Sequence, residues 1–233
     1  MNRDALQLLS RFAFSPNQLG YCGLDSASQN FTKCVISGNC DHVTEEIPHF
    51  KGLNPYLKTI AQLTNLDIFD YQVIEAYLLG NELLSQFKPS DYDILIKNFQ
   101  EQGLPEVFIE DVSSNKPNTF IPLHLFNILH IGVGKITGSV ATTIDSINNC
   151  MIRWGEITKI ENNNLTVDLN QIKISQQYDL ETVTQSFDFL PEWLPDLKTG
   201  DTIAVHWKWP TKILTTQETK NLSHWTNQLL KAL

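Results

Sequence analysis

Long apolar runs, a surplus of positive charge and a dense cysteine set are all missing from this chain of 233 residues. No stretch approaches the roughly 20 apolar residues that span a bilayer. The opening MNRDALQLLSRFAF carries Asp4 and polar breaks where a signal peptide needs an uninterrupted apolar core. The expectation is a cytoplasmic protein with no membrane partner. Lys and Arg number 17 against 26 Asp and Glu, a formal net charge of −9, which argues against nucleic acid as a partner, because its phosphates must be neutralised by cations. The cysteines Cys22, Cys34, Cys40 and Cys150 form no tight pairing pattern, and in a reducing compartment they read as free thiols or ligands rather than a disulfide framework. A phosphate loop is absent too. GVGKITGS has Leu129 where that motif needs glycine and Ile136 where it needs Ser or Thr, and neither a dinucleotide fingerprint nor a serine-nucleophile elbow appears elsewhere.

What is present is an ordinary globular composition, 42% hydrophobic, with a change of period partway along. Leu6, Leu9 and Phe12 recur at helical spacing, as do Leu57, Ile60 and Leu63 behind Pro55, which suits a first helical turn. Asp70 is placed to cap DYQVIEAYLLGNELLSQF, Gly103 to stop PSDYDILIKNFQEQG, and FIPLHLFNILHIGVG reads as a short apolar helix ending in two glycines. After Asn149 the period becomes two: NLTVDL alternates behind the turn signal ENNN, a hairpin, and TGDTIAVHWKWP puts Ile203, Val205, Trp207 and Trp209 on one face of a strand with His206 on the other, polar one. Thr215 and Glu218 make a capping box for a last helix with the stripe Leu222, Trp225, Leu229 and Leu233. The fold class expected is α+β: an α-helical domain over 1–147, then a small OB or SH3-like β-barrel with a C-terminal helix over 148–233.

The residues with metal or catalytic chemistry are few. Cys150 stands at the entrance to the first strand. His124, Asn127 and His130 recur every three residues on the short helix and, with Cys22, could line a secondary pocket. Cys34, Cys40 and His42 are only loosely spaced for zinc and have no evident fourth ligand. Trp193, Trp207, Trp209 and Trp225 are expected in the core rather than on a binding surface.

Two stretches carry a resemblance. CMIRWGEITKI and LKTGDTIAVHWKWPTKILTTQETKNLSHWTNQLLKAL present, in order, a cysteine, a glycine, a Gly-Asp strand ending in histidine, and a terminal helix. That order resembles the HypC/HupF family of [NiFe]-hydrogenase maturation chaperones, with Cys150 at the family's cysteine, Gly155 at its turn glycine, Trp154 in place of its proline and His206 at its histidine. The likeness covers 150–233; the N-terminal part, through RFAFSPNQLGYCG and PLHLFNILHIGVG, resembles an uncharacterised bacterial domain family. The resemblance implies a metallocentre chaperone, not an enzyme. Cys150 and His206 would bind iron carrying cyanide and carbon monoxide, the Fe(CN)2CO precursor, and pass it from a HypD-like scaffold protein to a hydrogenase large subunit. Thiolate softness suits low-valent iron with π-accepting ligands, and two protein ligands leave positions open for transfer. Two other classes stay open: a Cys–His enzyme with Cys150 as nucleophile, and a metal-free interaction module.

Overall fold

The computed structural model describes residues 2–175 and 177–232. Helix α1 (Arg3–Gln18) begins where the Asn2 side chain accepts from the backbone of Asp4 and Ala5, and it buries the expected stripe Leu6, Leu9 and Phe12. The chain continues through α2 (Ala27–Ser37), α3 (Val43–Glu46), α4 (Asn54–Thr64) with Pro55 in its first turn, and α5 (Tyr71–Leu78), capped by Asp70 on the Gln72 amide. Then come α6 (Tyr92–Glu101), with Gly103 in the left-handed region just beyond it, and α7 (Glu106–Ser114). The expected apolar helix around residue 125 is not regular. Three residues of α-helix, α8 (His124–Phe126), widen into a π-helical stretch over Asn127–Gly132. Helix α9 (Ile144–Cys150) follows.

Five strands form one antiparallel sheet: β1 (Arg153–Glu161), β2 (Asn164–Ile174), β3 (Tyr178–Asp188), β4 (Thr202–His206) and β5 (Trp209–Ile213), in the order β3-β2-β1-β4-β5. The predicted hairpin is β1–β2, turning at Asn162 and Asn163. Helix α10 (Thr216–Ala232) starts at the predicted capping box, with Glu218 accepting from the Thr215 amide at 2.8 Å and the Thr215 hydroxyl from the Glu218 amide at 3.2 Å. It buries Leu222 and Leu229 and half-buries Trp225; Leu233 lies outside the described residues. The fold is thus a mixed one of N-terminal helices, an antiparallel sheet and a C-terminal helix. No helix among the described residues is long and apolar enough to cross a membrane.

One hydrophobic cluster runs from Ala5 to Leu230, and α1 is its centre, packed on α2, α5, β4 and β5. Arg11 anchors it by donating to the carbonyls of Trp193 and Thr211 at 2.7 and 3.1 Å, while Phe14 packs on Trp193 and Trp209. The tryptophans therefore serve the core: Trp193 and Trp207 are buried, and Trp209 and Trp225 are partly so.

Four expectations need correction. Cys150 does not open a strand but closes α9, three residues before the start of β1. His206 does not face solvent: α1 covers that side of β4, and the imidazole is 4% exposed. The alternation read through Trp207 and Trp209 breaks because His206 pairs with Trp209 and the two residues between them make the turn. Gly155 is not a turn glycine either; it lies within β1, paired with Leu169 on one side and Ile203 on the other. A methyl at that position would run into the Asp168 carbonyl and the Leu169 Cα, which are backbone and cannot swing aside. Gly155→Ala should therefore destabilise the protein by about 1–3 kcal/mol, measured as a lower urea midpoint; an unchanged midpoint would mean β1 and β2 are less closely apposed than described.

Candidate metal centre

His124, Cys150 and His206 come from three separate elements, and their donor atoms all lie within 4.8 Å of one another. Local backbone features bring them together. His206 ends β4 just before a tight turn in which both Trp207 and Lys208 are left-handed, φ 49° and 62°. Left-handed backbone is unfavourable for residues other than glycine and persists only where surrounding contacts hold it. Here Trp207 donates its backbone N–H to the Asn149 carbonyl at 2.7 Å, and its own carbonyl accepts from the Ser15 hydroxyl at 3.0 Å. The turn thereby ties the end of β4 to the end of α9 beside Cys150, and to α1.

The imidazole of His206 is fixed by a defect in α1. Its Nδ1 lies 2.8 Å from the Phe12 carbonyl oxygen. In a regular helix the residue-16 amide would occupy that carbonyl, but residue 16 is Pro16 and has no N–H. A carbonyl only accepts, so Nδ1 of His206 carries the proton and Nε2 keeps its lone pair. That Nε2 is buried without a hydrogen-bond partner. His124 is held at both nitrogens: Nε2 donates to the Cys150 carbonyl at 2.9 Å and Nδ1 accepts from the Tyr77 hydroxyl at 2.9 Å, with the Cys150 Sγ 3.9 Å from Nε2. The two imidazoles meet edge to face, centroids 5.2 Å apart.

Burial keeps all three donors neutral. It lowers His124 to about 4 against a smaller upward pull from the Cys150 carbonyl. It lowers His206 to about 3, helped by His124 and opposed by the carbonyls of Phe12 and Cys150. The Cys150 thiol is pushed far above its ordinary value, first by burial and then by neighbouring Cys22. Two imidazole lone pairs and a thiol that a cation would deprotonate form the donor set of a borderline-to-soft transition metal. His124 would ligate through Nε2 by moving its proton to Nδ1, where the Tyr77 oxygen can accept it, an arrangement that orients the ring from behind.

The three donors face a cavity of about 80 Å³, with room for several water-sized groups. Its walls are chiefly apolar, among them Leu9, Phe50, Leu53, Ile136 and Val140. Two further residues singled out in the sequence, Cys22 and Asn127, line the same cavity. Burial pushes the Cys22 thiol up to about 11, and Asn127 Oδ1 is buried without a partner. His130 is not with them. The wider π-helical turn sends it among the rings of Tyr92 and Phe126, at 5.4 and 4.7 Å. The loose zinc spacing fails as well: Cys34 and Cys40 form a disulfide across the left-handed Gly38 that ends α2, and His42 bonds to Glu45. That bond also corrects the expectation of four free thiols. Tyr77 and the Phe12 carbonyl were not foreseen, although Pro16 four residues after Phe12 was a usable signal.

Fold and site together define a mixed helix-and-sheet protein with a partly buried three-donor pocket able to hold a metal ion. The chain belongs to the family of unknown function DUF6390, whose model matches residues 1–233. No curated protein and no solved structure matches it.

Neutral buried histidines link stability to pH. Both have folded values below the unfolded value of about 6.5, so unfolding takes up protons below that pH. Stability should be full above about pH 6.5 and fall continuously as pH drops towards 4. Urea midpoints between pH 7 and 5 would show this slope, and His206→Gln should flatten it; a flat wild-type profile would contradict neutral burial.

Proposed function

We propose that this protein binds a transition-metal centre through His124, Cys150 and His206 and carries it as cargo. The observation that supports this most is the buried His206 Nε2, whose lone pair faces the cavity without a partner while a backbone carbonyl holds its other nitrogen. Leaving a buried acceptor unsatisfied costs about 1–3 kcal/mol, and a metal ion would remove that cost. Three protein donors leave coordination positions on the cavity side, which suits a site that receives and releases its metal rather than locking it in.

The cargo we infer is iron with small π-accepting ligands. The apolar cavity offers space for diatomic groups, and thiolate and imidazole suit such an iron. The proximity of Cys150 and His206 supports the likeness to the HypC/HupF chaperones, to which we add His124 as a third ligand from the helical part. Five antiparallel strands and the terminal helix are compatible with the OB or SH3-like barrel of that family. On this reading the partners are a HypD-like scaffold and a hydrogenase large subunit, and the transfer is cytoplasmic. The Cys34–Cys40 bond would there be exposed to reductants. A nucleophilic role for Cys150 has less behind it, since burial holds the thiol protonated and His124 Nε2 donates to the Cys150 carbonyl.

Anaerobic titration of the metal-free protein with Fe(II), Co(II) and Zn(II) tests the site. One equivalent should bind, with affinity falling about 100-fold or more in Cys150→Ser and His206→Gln. Pro16→Ala, which restores a competing N–H for the Phe12 carbonyl, should cost about 10-fold, as outer-shell changes do. Equal affinity in Cys150→Ser and wild type would overturn the metal site. Infrared bands of bound cyanide and carbon monoxide should appear in protein co-expressed with the hydrogenase maturation machinery; metal without those bands would overturn the iron cargo.

A further inference from the structure

Another group stands unsatisfied in the molecule, outside the lining of the cavity that the three donors face but close enough for its charge to act on His206. Arg153, the first residue of β1, is 2% exposed, yet it forms no ion pair among the described residues. One terminal nitrogen donates to the Gln185 side chain at 3.0 Å, Nε has no partner, and the Phe187 ring lies 6.0 Å from the guanidinium carbon. Burial alone lowers its pKa, to about 10; the guanidinium thus remains a cation at neutral pH. Buried charges are normally paired, because desolvating an isolated one is costly.

Arg153 lines a groove that its own strand creates. Pairing of β1 with β2 starts only at Gly155 and Leu169, so the end of β2 diverges from Arg153. Asn148 of α9 takes over there, bonding both backbone groups of Ile172 at 2.8 Å. The groove between them also receives Lys173, Lys208, Asp145 and Glu181. Three cations against two carboxylates leave one positive charge. Glu181 is already engaged by Gln171 at 3.0 Å. Two of the molecule's exposed large aliphatic residues, Ile144 at 38% and Ile174 at 57%, line the same groove.

We propose that this groove binds a small organic monocarboxylate, with its carboxylate on the Arg153 guanidinium and its hydrocarbon chain on Ile144 and Ile174. The guanidinium fork matches a carboxylate, and such charge-assisted bonds are the stronger kind. A single negative charge fits the net charge of the lining, whereas a phosphate dianion would also meet Asp145 and Glu181. The aliphatic residues give a short alkyl chain a surface that an inorganic anion cannot use.

The test uses full-length, metal-free protein at constant ionic strength, so its outcome is separate from that of the metal site. Sodium hexanoate should bind saturably by calorimetry and raise Tm, while hexanol and inorganic phosphate should not. Arg153→Gln should weaken hexanoate about 10-fold or more, the loss expected for a hydrogen bond to a charged group. If that variant fails to fold, the wild-type Arg153 Nε–H resonance should still shift on adding hexanoate, and the surface variant Lys208→Gln should weaken binding. No hexanoate binding, an unmoved Arg153 resonance, equal binding in Arg153→Gln, or an equal effect of hexanol or phosphate would each overturn the proposal.

Discussion

The hydrogen bond from His206 Nδ1 to the carbonyl of Phe12 is the contact on which the candidate centre depends. It exists because Pro16 removes the amide that would otherwise use that carbonyl within α1. A helix defect thus becomes an acceptor aimed at the sheet. The bond chooses the tautomer of His206 and joins α1 to β4; through the Ser15 and Asn149 contacts to Trp207 it draws the end of α9 into the same place. Cys150 arrives there as the last residue of a helix, held by the turn that His206 begins.

The centre has an unusual balance of satisfied and unsatisfied groups. His124 uses both nitrogens and would be stable as a core histidine; His206 uses one, and the Cys150 thiol is kept protonated by burial. His206 is therefore available as it stands, Cys150 must give up its thiol proton, and His124 must shift a proton towards Tyr77 and release the Cys150 carbonyl. Neutral donors in an apolar cavity cost far less than buried charges, so the site can stay folded before metal arrives, and the cation would then drive loss of the thiol proton. Arg153, three residues beyond Cys150, presents the opposite case of a charge already buried and waiting for its counterpart.

Local signals in the sequence were legible where one residue decides the outcome. Asp70, Pro55, Gly103 and the Thr215–Glu218 box mark helix ends, and the Asn pair at 162–163 marks the hairpin, because each acts locally, through its own backbone or through a side chain on an amide two or three residues away. The order of Cys150, Gly155 and His206 pointed to two of the three donors. What could not be read depends on other elements. Burial of His206 is set by α1, nearly 200 residues away in sequence. A tight turn formed by Trp207 and Lys208 contradicts residue preference and is imposed by tertiary contacts. The π-helical register that separates His130 from His124 has no compositional signature here, and the Cys34–Cys40 bond depends on how Gly38 folds the chain back.

Whether one thiolate and two imidazoles share a metal is best asked by X-ray absorption on the zinc-loaded protein. The account predicts one sulfur scatterer at about 2.3 Å and two imidazole nitrogens at about 2.0 Å, with light-atom ligands completing the shell; loss of the sulfur shell in Cys150→Ser should accompany this. A shell of nitrogen and oxygen alone in the wild type, or a sulfur contribution unchanged in Cys150→Ser, would contradict it.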